Sequence, residues 1–302
     1  MFYSPLRYPG GKSKLTPYVI ETMKLNNLDG GTYIEPFAGG AAIAWYLLIN
    51  EHVENVYIND LNKSIYSFWH SVLFQTDQLC SMIETTDITI DTWEAQKQVQ
   101  TNHSDYSLLE LGFSTFFLNR TNRSGIIKGG VIGGIKQEGN YKLDCRFNRD
   151  DLIKRIIEIS IHQKNIHLSN LDANDFILNT LPSIQEKCLV NIDPPYYKKG
   201  KGLYQNFFEH SDHFELYNNV KNIKQPWIVT YDDTPEINEI YHDYNPLSFS
   251  LSYTAQTKRK GSEVLIHKPE NKTCDFKPNI TFKELSKLLK SKNIKTQQAF
   301  FR

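Results

Sequence analysis

The 302-residue sequence predicts an α/β protein, a parallel sheet covered by helices on both faces and interrupted by an inserted, mainly helical subdomain. Three observations carry that expectation. Short apolar runs alternate with helical patterns over two separate stretches of the chain. Between them, residues 77–161 change to helical patterns around a glycine-rich interval. The length exceeds one modest domain, and a composition of 40% hydrophobic and 23% charged residues is that of a globular chain with a sizeable core.

Taken in order, Thr32-Tyr33-Ile34-Glu35-Pro36 is a β-rich run followed by a helical pattern over 41–50. Asn55-Val56-Tyr57-Ile58 is a second strand, and a helix is expected over 61–74. The alternation resumes with Ile166-His167-Leu168, a helix opening near Asp172, the apolar strand Cys188-Leu189-Val190-Asn191-Ile192, a helix around 214–223 and the strand Trp227-Ile228-Val229-Thr230-Tyr231. Helices between successive strands are the crossovers that parallel pairing requires. Residues 1–76 and 162–302 are therefore expected to form one domain, with 77–161 inserted into it. Within the insertion, helical patterns cover 91–101, 105–119 and 148–161, and six of the sixteen glycines fall in 125–139. The flanks of that interval, Ile126-Ile127-Lys128 and Asn140-Tyr141-Lys142-Leu143, are expected to pair as a surface hairpin with nothing to pack as a core.

Several classes are set aside by composition. No apolar run approaches the roughly 18 residues that span a bilayer. The first residues lack the pattern of a secretory signal, so a cytosolic setting is expected. Cys80, Cys145, Cys188 and Cys274 form no CxxC pair, which suggests neither a zinc site nor a disulfide framework. Net charge is zero, with 34 basic and 34 acidic residues, yet the charges are unevenly spread. Residues 257–302 carry twelve Lys/Arg against four Asp/Glu and residues 120–155 carry nine against four, whereas residues 77–110 carry one against seven. One basic face is expected, suited to a polyanion.

Three motifs carry chemistry. Glu35-Pro36-Phe37-Ala38-Gly39-Gly40 sits between a strand and a helix, where glycines let a ligand approach backbone N–H groups at the helix start. It is not GxGxxG, which argues against a dinucleotide. Asp60 lies after the second strand, where an acid commonly accepts from ribose hydroxyls. The pair suggests an adenosine-containing ligand, the alternative being a bare Gly-Gly turn beside a chance acid. Asp193-Pro194-Pro195-Tyr196 follows the most apolar strand. Consecutive prolines make a stiff turn with free carbonyls, and an acid before and an aromatic after suit a planar molecule bearing an exocyclic amine. Arg7-Tyr8-Pro9-Gly10-Gly11-Lys12 precedes a helix expected near Ser13 but fails the GxxxxGK[ST] pattern of a triphosphate loop. Its lysine is placed to meet a carboxylate.

These residues together resemble the Dam-like family of DNA adenine-N6 methyltransferases, the alpha group of amino-methyltransferases. The likeness also draws on Asn59-Asp60, on Phe117-Leu118-Asn119-Arg120-Thr121-Asn122-Arg123-Ser124-Gly125 and on Lys260-Gly261-Ser262-Glu263-Val264-Leu265-Ile266, all in the family's order. The resemblance implies a Rossmann-like S-adenosylmethionine-dependent sheet and S-adenosylmethionine as methyl donor, held by Tyr8, Gly11, Lys12, Phe37, Ala38, Gly39 and Asp60, with Asp175 and Phe176 against the donor's adenine. Ala41 stands where the family's loop more often has glycine, and a tighter loop is expected. The target adenine would be flipped from the duplex, stacked on Tyr196 and gripped at N6 by Asp193 and the Pro194 carbonyl, with Pro195 stiffening the turn. No metal is expected. Arg120, Asn122, Arg123, Lys128 and Lys136 are expected on the DNA, and Lys258, Arg259 and Lys260 on its phosphates. Double-stranded DNA is the implied partner, with nucleoid association through it and a cognate restriction endonuclease or defence-system partner. An amino-methyltransferase acting on RNA or another amine or amide stays open as the alternative, and an NAD- or FAD-linked oxidoreductase is disfavoured by the missing GxGxxG.

Overall fold

A computed structural model describes residues 3–8, 11–184, 187–198, 208–255, 257–281 and 283–288, with backbone alone over 251–260. Strands β1 (Thr32–Glu35), β2 (Asn55–Asn59), β3 (Ile166–Ser169), β4 (Cys188–Ile192) and β5 (Trp227–Asp232) run parallel. They share one sheet with β6 (Leu247–Ala255) and β7 (Thr257–His267), in the order β3-β2-β1-β4-β5-β7-β6. β7 pairs antiparallel to both β5 and β6, an edge that the strand-helix alternation upstream did not foretell.

Every residue of β1, β4 and β5 is buried, as expected of strands covered on both faces, and the two faces alternate strictly. Tyr33, Leu189, Ile228 and Leu265 enter one core, while Ile34, Val190, Val229 and Ile266 enter the other. On the first side lie α1 (Thr16–Leu25), α2 (Ala42–Ile49) and α3 (Lys63–Phe74), with Tyr18, Trp45 and Trp69 packed beneath them. On the second lie α8 (Ala173–Asp175, running on as a π-helical turn over Phe176–Thr180), α9 (His210–Val220) and α10 (Pro235–Ile240). No helix among the described residues is long and apolar enough to cross a membrane.

The interval between α3 and β3 holds α4 (Thr76–Thr85), α5 (Ile90–Thr101), α6 (Leu108–Thr121) and α7 (Arg149–Ser160). Side-chain caps open three of them: Thr89 for α5, a Ser107–Glu110 capping box for α6 and Asn148 for α7. Leu79, Ile83, Trp93, Phe113, Phe116 and Ile156 join the same core as Trp45 and Trp69. Gly112 permits the close approach of α6 to α3, since a Cβ there would stand 2.5 Å from Ser71 Oγ and 2.6 Å from the Ser67 carbonyl.

The glycine-rich interval departs from expectation. No hairpin forms over 126–147; the chain makes successive turns, with positive φ at Gly125, Gly133 and Gly134, and a single antiparallel bridge joins Asn122 to Val131. Nor is it coreless. Val131, Leu143 and Phe147 are buried, and Phe147 packs edge-on against Phe116 at 5.3 Å.

Candidate active site

The sheet order reverses between β1 and β4, so the connections leaving their C-terminal ends diverge and open a crevice there, the usual ligand position in such sheets. A cavity of about 390 Å³ occupies it, within the range of small-molecule sites. The loop after β1 forms its floor. The Gly39 N–H donates to Asp60 Oδ2 (2.9 Å), the Ala38 N–H to the Asn59 carbonyl (2.9 Å), and Trp69 Nε1 to the Gly39 carbonyl (2.8 Å). Gly39 has φ +47° and lies under the Tyr8 ring, where a Cβ would stand 2.6 Å from Tyr8 Cε1. Ala41 adopts the left-handed conformation (φ 45°) at the start of α2, where a glycine would be unstrained.

Asp60, at the end of β2, accepts from Gly39 through one oxygen and from the Asn62 N–H through the other (2.9 Å). Burial raises its pKa from 3.8 to about 6 against the opposing pull of those two bonds. Each carboxylate oxygen retains further acceptor capacity for ribose hydroxyls. Gly11, Lys12, Phe37 and Ala38 also line the cavity, and Phe37 meets Phe208 edge-on at 5.9 Å. At the start of α8 the lining residues are its N-cap Asp172 and Ala173. Asp175 is exposed and Phe176 is buried in the second core, so that pair stands about one helical turn past the cavity.

Asp193 closes the opposite wall. Its Oδ1 accepts from Thr230 Oγ1 (2.8 Å) and lies 2.9 Å from Lys12 Nζ. Lys12, itself 5% exposed, is also 3.6 Å from Glu263 Oε2, donates to the Tyr196 hydroxyl and sits 4.6 Å from the centroid of that ring. Tyr196 donates in turn to Glu263 Oε1 (2.7 Å) and is buried. Pro195 lines the cavity; Pro194 and Tyr196 lie behind it. Lys12 is thus committed to the Asp193–Tyr196–Glu263 cluster. Pro9 and Gly10 lie outside the described residues.

Glu263 and Glu35 are site residues that sequence reasoning left without a role. Glu263, fully buried on β7, was marked by an acid standing before the apolar run Val264-Leu265-Ile266. Glu35 lines the cavity, accepts from the Tyr33 hydroxyl (3.0 Å) and has its pKa raised to about 8, mainly by burial, so its carboxyl is neutral at pH 7.

The residues expected on DNA divide. Asn122 is fully buried and brackets the turns: Trp93 Nε1 donates to its Oδ1 (2.6 Å), and its Nδ2 donates to the carbonyls of Ile126 (2.9 Å) and Ile127 (2.8 Å). That replaces the expected DNA contact with a structural one. Arg120 is 9% exposed, donates to the Pro5 carbonyl and lines the cavity, so it too is withdrawn from the DNA surface. Arg123, Lys128 and Lys136 are exposed. Lys258, Arg259 and Lys260 lie on β7, with side chains outside the described residues.

A methyl donor with a ribose and an amino-acid end fits these groups: Asp60 faces the cavity with spare acceptor capacity for hydroxyls, and Asp172 and Asp193 on its wall suit cationic groups. Comparison with known proteins agrees. Residues 8–258 match the family described as D12 class N6 adenine-specific DNA methyltransferase. The type II methyltransferase M.MjaIII of Methanocaldococcus jannaschii is 24% identical over 204 residues, covering 63% of this chain and 68% of its own length. The type II methyltransferase M.CviBI of Paramecium bursaria Chlorella virus NC1A is 23% identical over 246 residues, 78% of this chain and 87% of its own. Among solved structures, M. capricolum TrmK in complex with S-adenosyl-homocysteine aligns over 87% of this chain and 73% of its own at a TM-score of 0.34 and 10% identity, a loose likeness on which no assignment rests.

Proposed function

The chain belongs to the D12 class N6 adenine-specific DNA methyltransferase family, and from that premise we propose that Asp193 receives the N6 amine of adenine beside the donor cavity. The enzyme transfers a methyl group from S-adenosylmethionine to adenine N6 in DNA. The observation that carries the site reading is the meeting of two strand ends. The Gly39 loop after β1 and Asp193 after β4 face one cavity across neighbouring strands. When bound, S-adenosylmethionine supplies an electrophilic methyl on a sulfonium. The chain's own residues orient the amine and manage its proton. An arylamine is too weak an acid to ionise first, so Asp193 accepts an N6–H hydrogen bond, keeps the nitrogen lone pair aimed at the donor and takes the proton as the new C–N bond forms. Lys12 steadies the Asp193 carboxylate at 2.9 Å. An adenine paired and stacked inside a duplex cannot bring its amine to Asp193 within the cavity, and we take it to be flipped out, at a cost of about a few kcal/mol. Stacking on Tyr196 requires Lys12 to leave the ring face it now covers.

The test is incubation with duplex DNA and methyl-labelled S-adenosylmethionine, followed by digestion to nucleosides. N6-methyldeoxyadenosine is the expected product; N4-methylcytosine, or label on RNA alone, would overturn the reading.

Residues 1–76 and 162–302 are proposed as the catalytic part and 77–161 as the target-recognition part, the latter supported by five exposed basic side chains in the turns of 122–147, Arg123, Lys128 and Lys136 among them. Alanine at whichever of Arg123, Lys128 and Lys136 reads a base costs about 1–3 kcal/mol on the cognate site and relaxes selectivity at one position, measured by binding to cognate and scrambled duplexes. Alanines at Lys258, Arg259 and Lys260 weaken all duplexes alike and flatten the salt dependence. Both relatives are named type II methyltransferases, and a cognate restriction endonuclease or defence-system partner is proposed on that likeness, as is nucleoid association through DNA.

Donor binding is expected to be pH-dependent through Asp60. Ribose hydroxyls favour its charged form, so the bound complex holds its pKa below the free value of about 6. As pH falls through 6 the free enzyme takes up a proton that binding must release, and affinity drops towards a loss of about 1.5–3 kcal/mol. Calorimetry between pH 5 and 7, below the titration of Glu35, checks this, and Asp60→Ala should be weak and flat over that range.

A further inference from the structure

One corner of the donor cavity is lined by Arg7, Arg120 and Arg155. We propose that Arg120, flanked by Arg7 and Arg155, holds the α-carboxylate of the donor's methionine moiety. The inference rests on the donor reading of the same cavity and reassigns the carboxylate that the position of Lys12 before a helix suggested for that lysine.

Arg120 is nine-tenths buried, and a buried guanidinium is costly unless its donors and charge are met. One of its nitrogens donates to the Pro5 carbonyl, and its Nε has no partner among the described residues. Its neighbours do not neutralise it. Arg7 donates to the Asn122 carbonyl (3.2 Å), and Arg155 donates to the Ser4 carbonyl (3.3 Å) and pairs with Asp151 (2.7 Å). Burial first, and then Arg155 and Arg7, pull the Arg120 pKa down, with Asp151 alone opposing them. Among the described residues, the corner sets three arginines against one paired acid, Asp151.

Elsewhere the cavity is lined by Asp60, Asp172 and Asp193, beside the neutral Glu35 carboxyl. Ionised carboxylates suit hydroxyls, an ammonium and a sulfonium and repel a carboxylate. Lys12 lies within 3.6 Å of two carboxylates, Asp193 and Glu263. An amino-acid end entering this cavity therefore turns its carboxylate to the arginines. A DNA phosphate is the poorer match, because a duplex backbone stays at the protein surface while Arg120 is 9% exposed.

Calorimetry on the full chain tests this with two ligands, S-adenosylmethionine and its decarboxylated counterpart. For Arg120→Met, about ten-fold or more loss is expected for the first and less than two-fold for the second, since the charge-assisted bonds vanish with the carboxylate. Equal losses for both ligands, or none for either, overturn the proposal. So does unchanged donor affinity with a shallower salt dependence of duplex binding, which would assign the corner to phosphate. If Arg120→Met does not fold by thermal melting, Arg155→Gln is measured against the same two ligands. It must then show the same selective loss on a smaller scale, and its absence counts against the proposal. Wild-type protein that binds neither ligand would defeat the donor reading itself, a different result from wild-type binding without discrimination by the arginines.

Discussion

Asp193→Ala should lower the rate of methyl transfer by roughly 10²–10⁴-fold while leaving donor affinity within a few fold. The carboxylate is fixed by Thr230 Oγ1 at 2.8 Å and by Lys12 at 2.9 Å, so it reaches the reacting amine already oriented. With the side chain gone, the amine loses its acceptor and the departing proton its destination. Lys12 keeps Glu263 and Tyr196 as partners, which limits the structural damage. Asp193→Asn keeps the shape without the charge and should lose at least 100-fold by the same reasoning, roughly the contribution of one general base. Single-turnover transfer of labelled methyl, with calorimetry for the donor, separates the two effects. Near-normal turnover by either variant would remove Asp193 from the mechanism.

Asn122→Ala should destabilise the protein by about 3–4 kcal/mol and lower its melting temperature by roughly 10 °C. The side chain is fully buried and meets three groups: Trp93 Nε1 in a buried bond, and the partly buried carbonyls of Ile126 and Ile127. Each orphaned group costs about 1–3 kcal/mol, partly recovered by relaxation. A base-reading asparagine would behave in the opposite way, melting normally and losing selectivity between duplexes. Thermal unfolding read beside duplex binding decides between them.

Much of the sheet was legible because parallel strands buried on both faces read as unbroken apolar runs, as Cys188–Ile192 does. Gly39, Asp60 and Asp193 were legible for a related reason, since ligand groups stand just beyond the C-terminal ends of such strands. The β6–β7 hairpin was not. Lys258-Arg259-Lys260 gives the start of β7 the look of a solvated segment, and serines at 248, 250 and 252 alternate with Leu247, Phe249 and Leu251 at the period of a half-buried antiparallel strand, a pattern unlike the unbroken apolar runs of the parallel strands. Arg120 and Asn122 were misread because polar residues in a basic stretch suggest a surface, whereas α6 is buried from Leu111 to Thr121 and the interval after it folds back on the core. Asp175 and Phe176 missed the cavity because only the first turn of α8 faces it, a matter of helical phase that composition does not encode. The Lys12–Glu263 contact joins opposite ends of the chain, and no local pattern announces a partner so remote.

The order of the strands also governs how this enzyme is born. During synthesis β1 emerges early, yet Ile34 must wait for Val190, and β5 stays unpaired on one side until Val264 and Leu265 arrive. Until then a nascent chain exposes unfilled strand edges and half of each core, the kind of surface that chaperones shield on the ribosome. Contacts this distant in sequence make for slow closure. The corner where Lys12 meets Glu263 is sealed among the last. A polypeptide released or cut before residue 263 would carry the Gly39 loop and Asp193 without Glu263, the partner of both Lys12 and Tyr196.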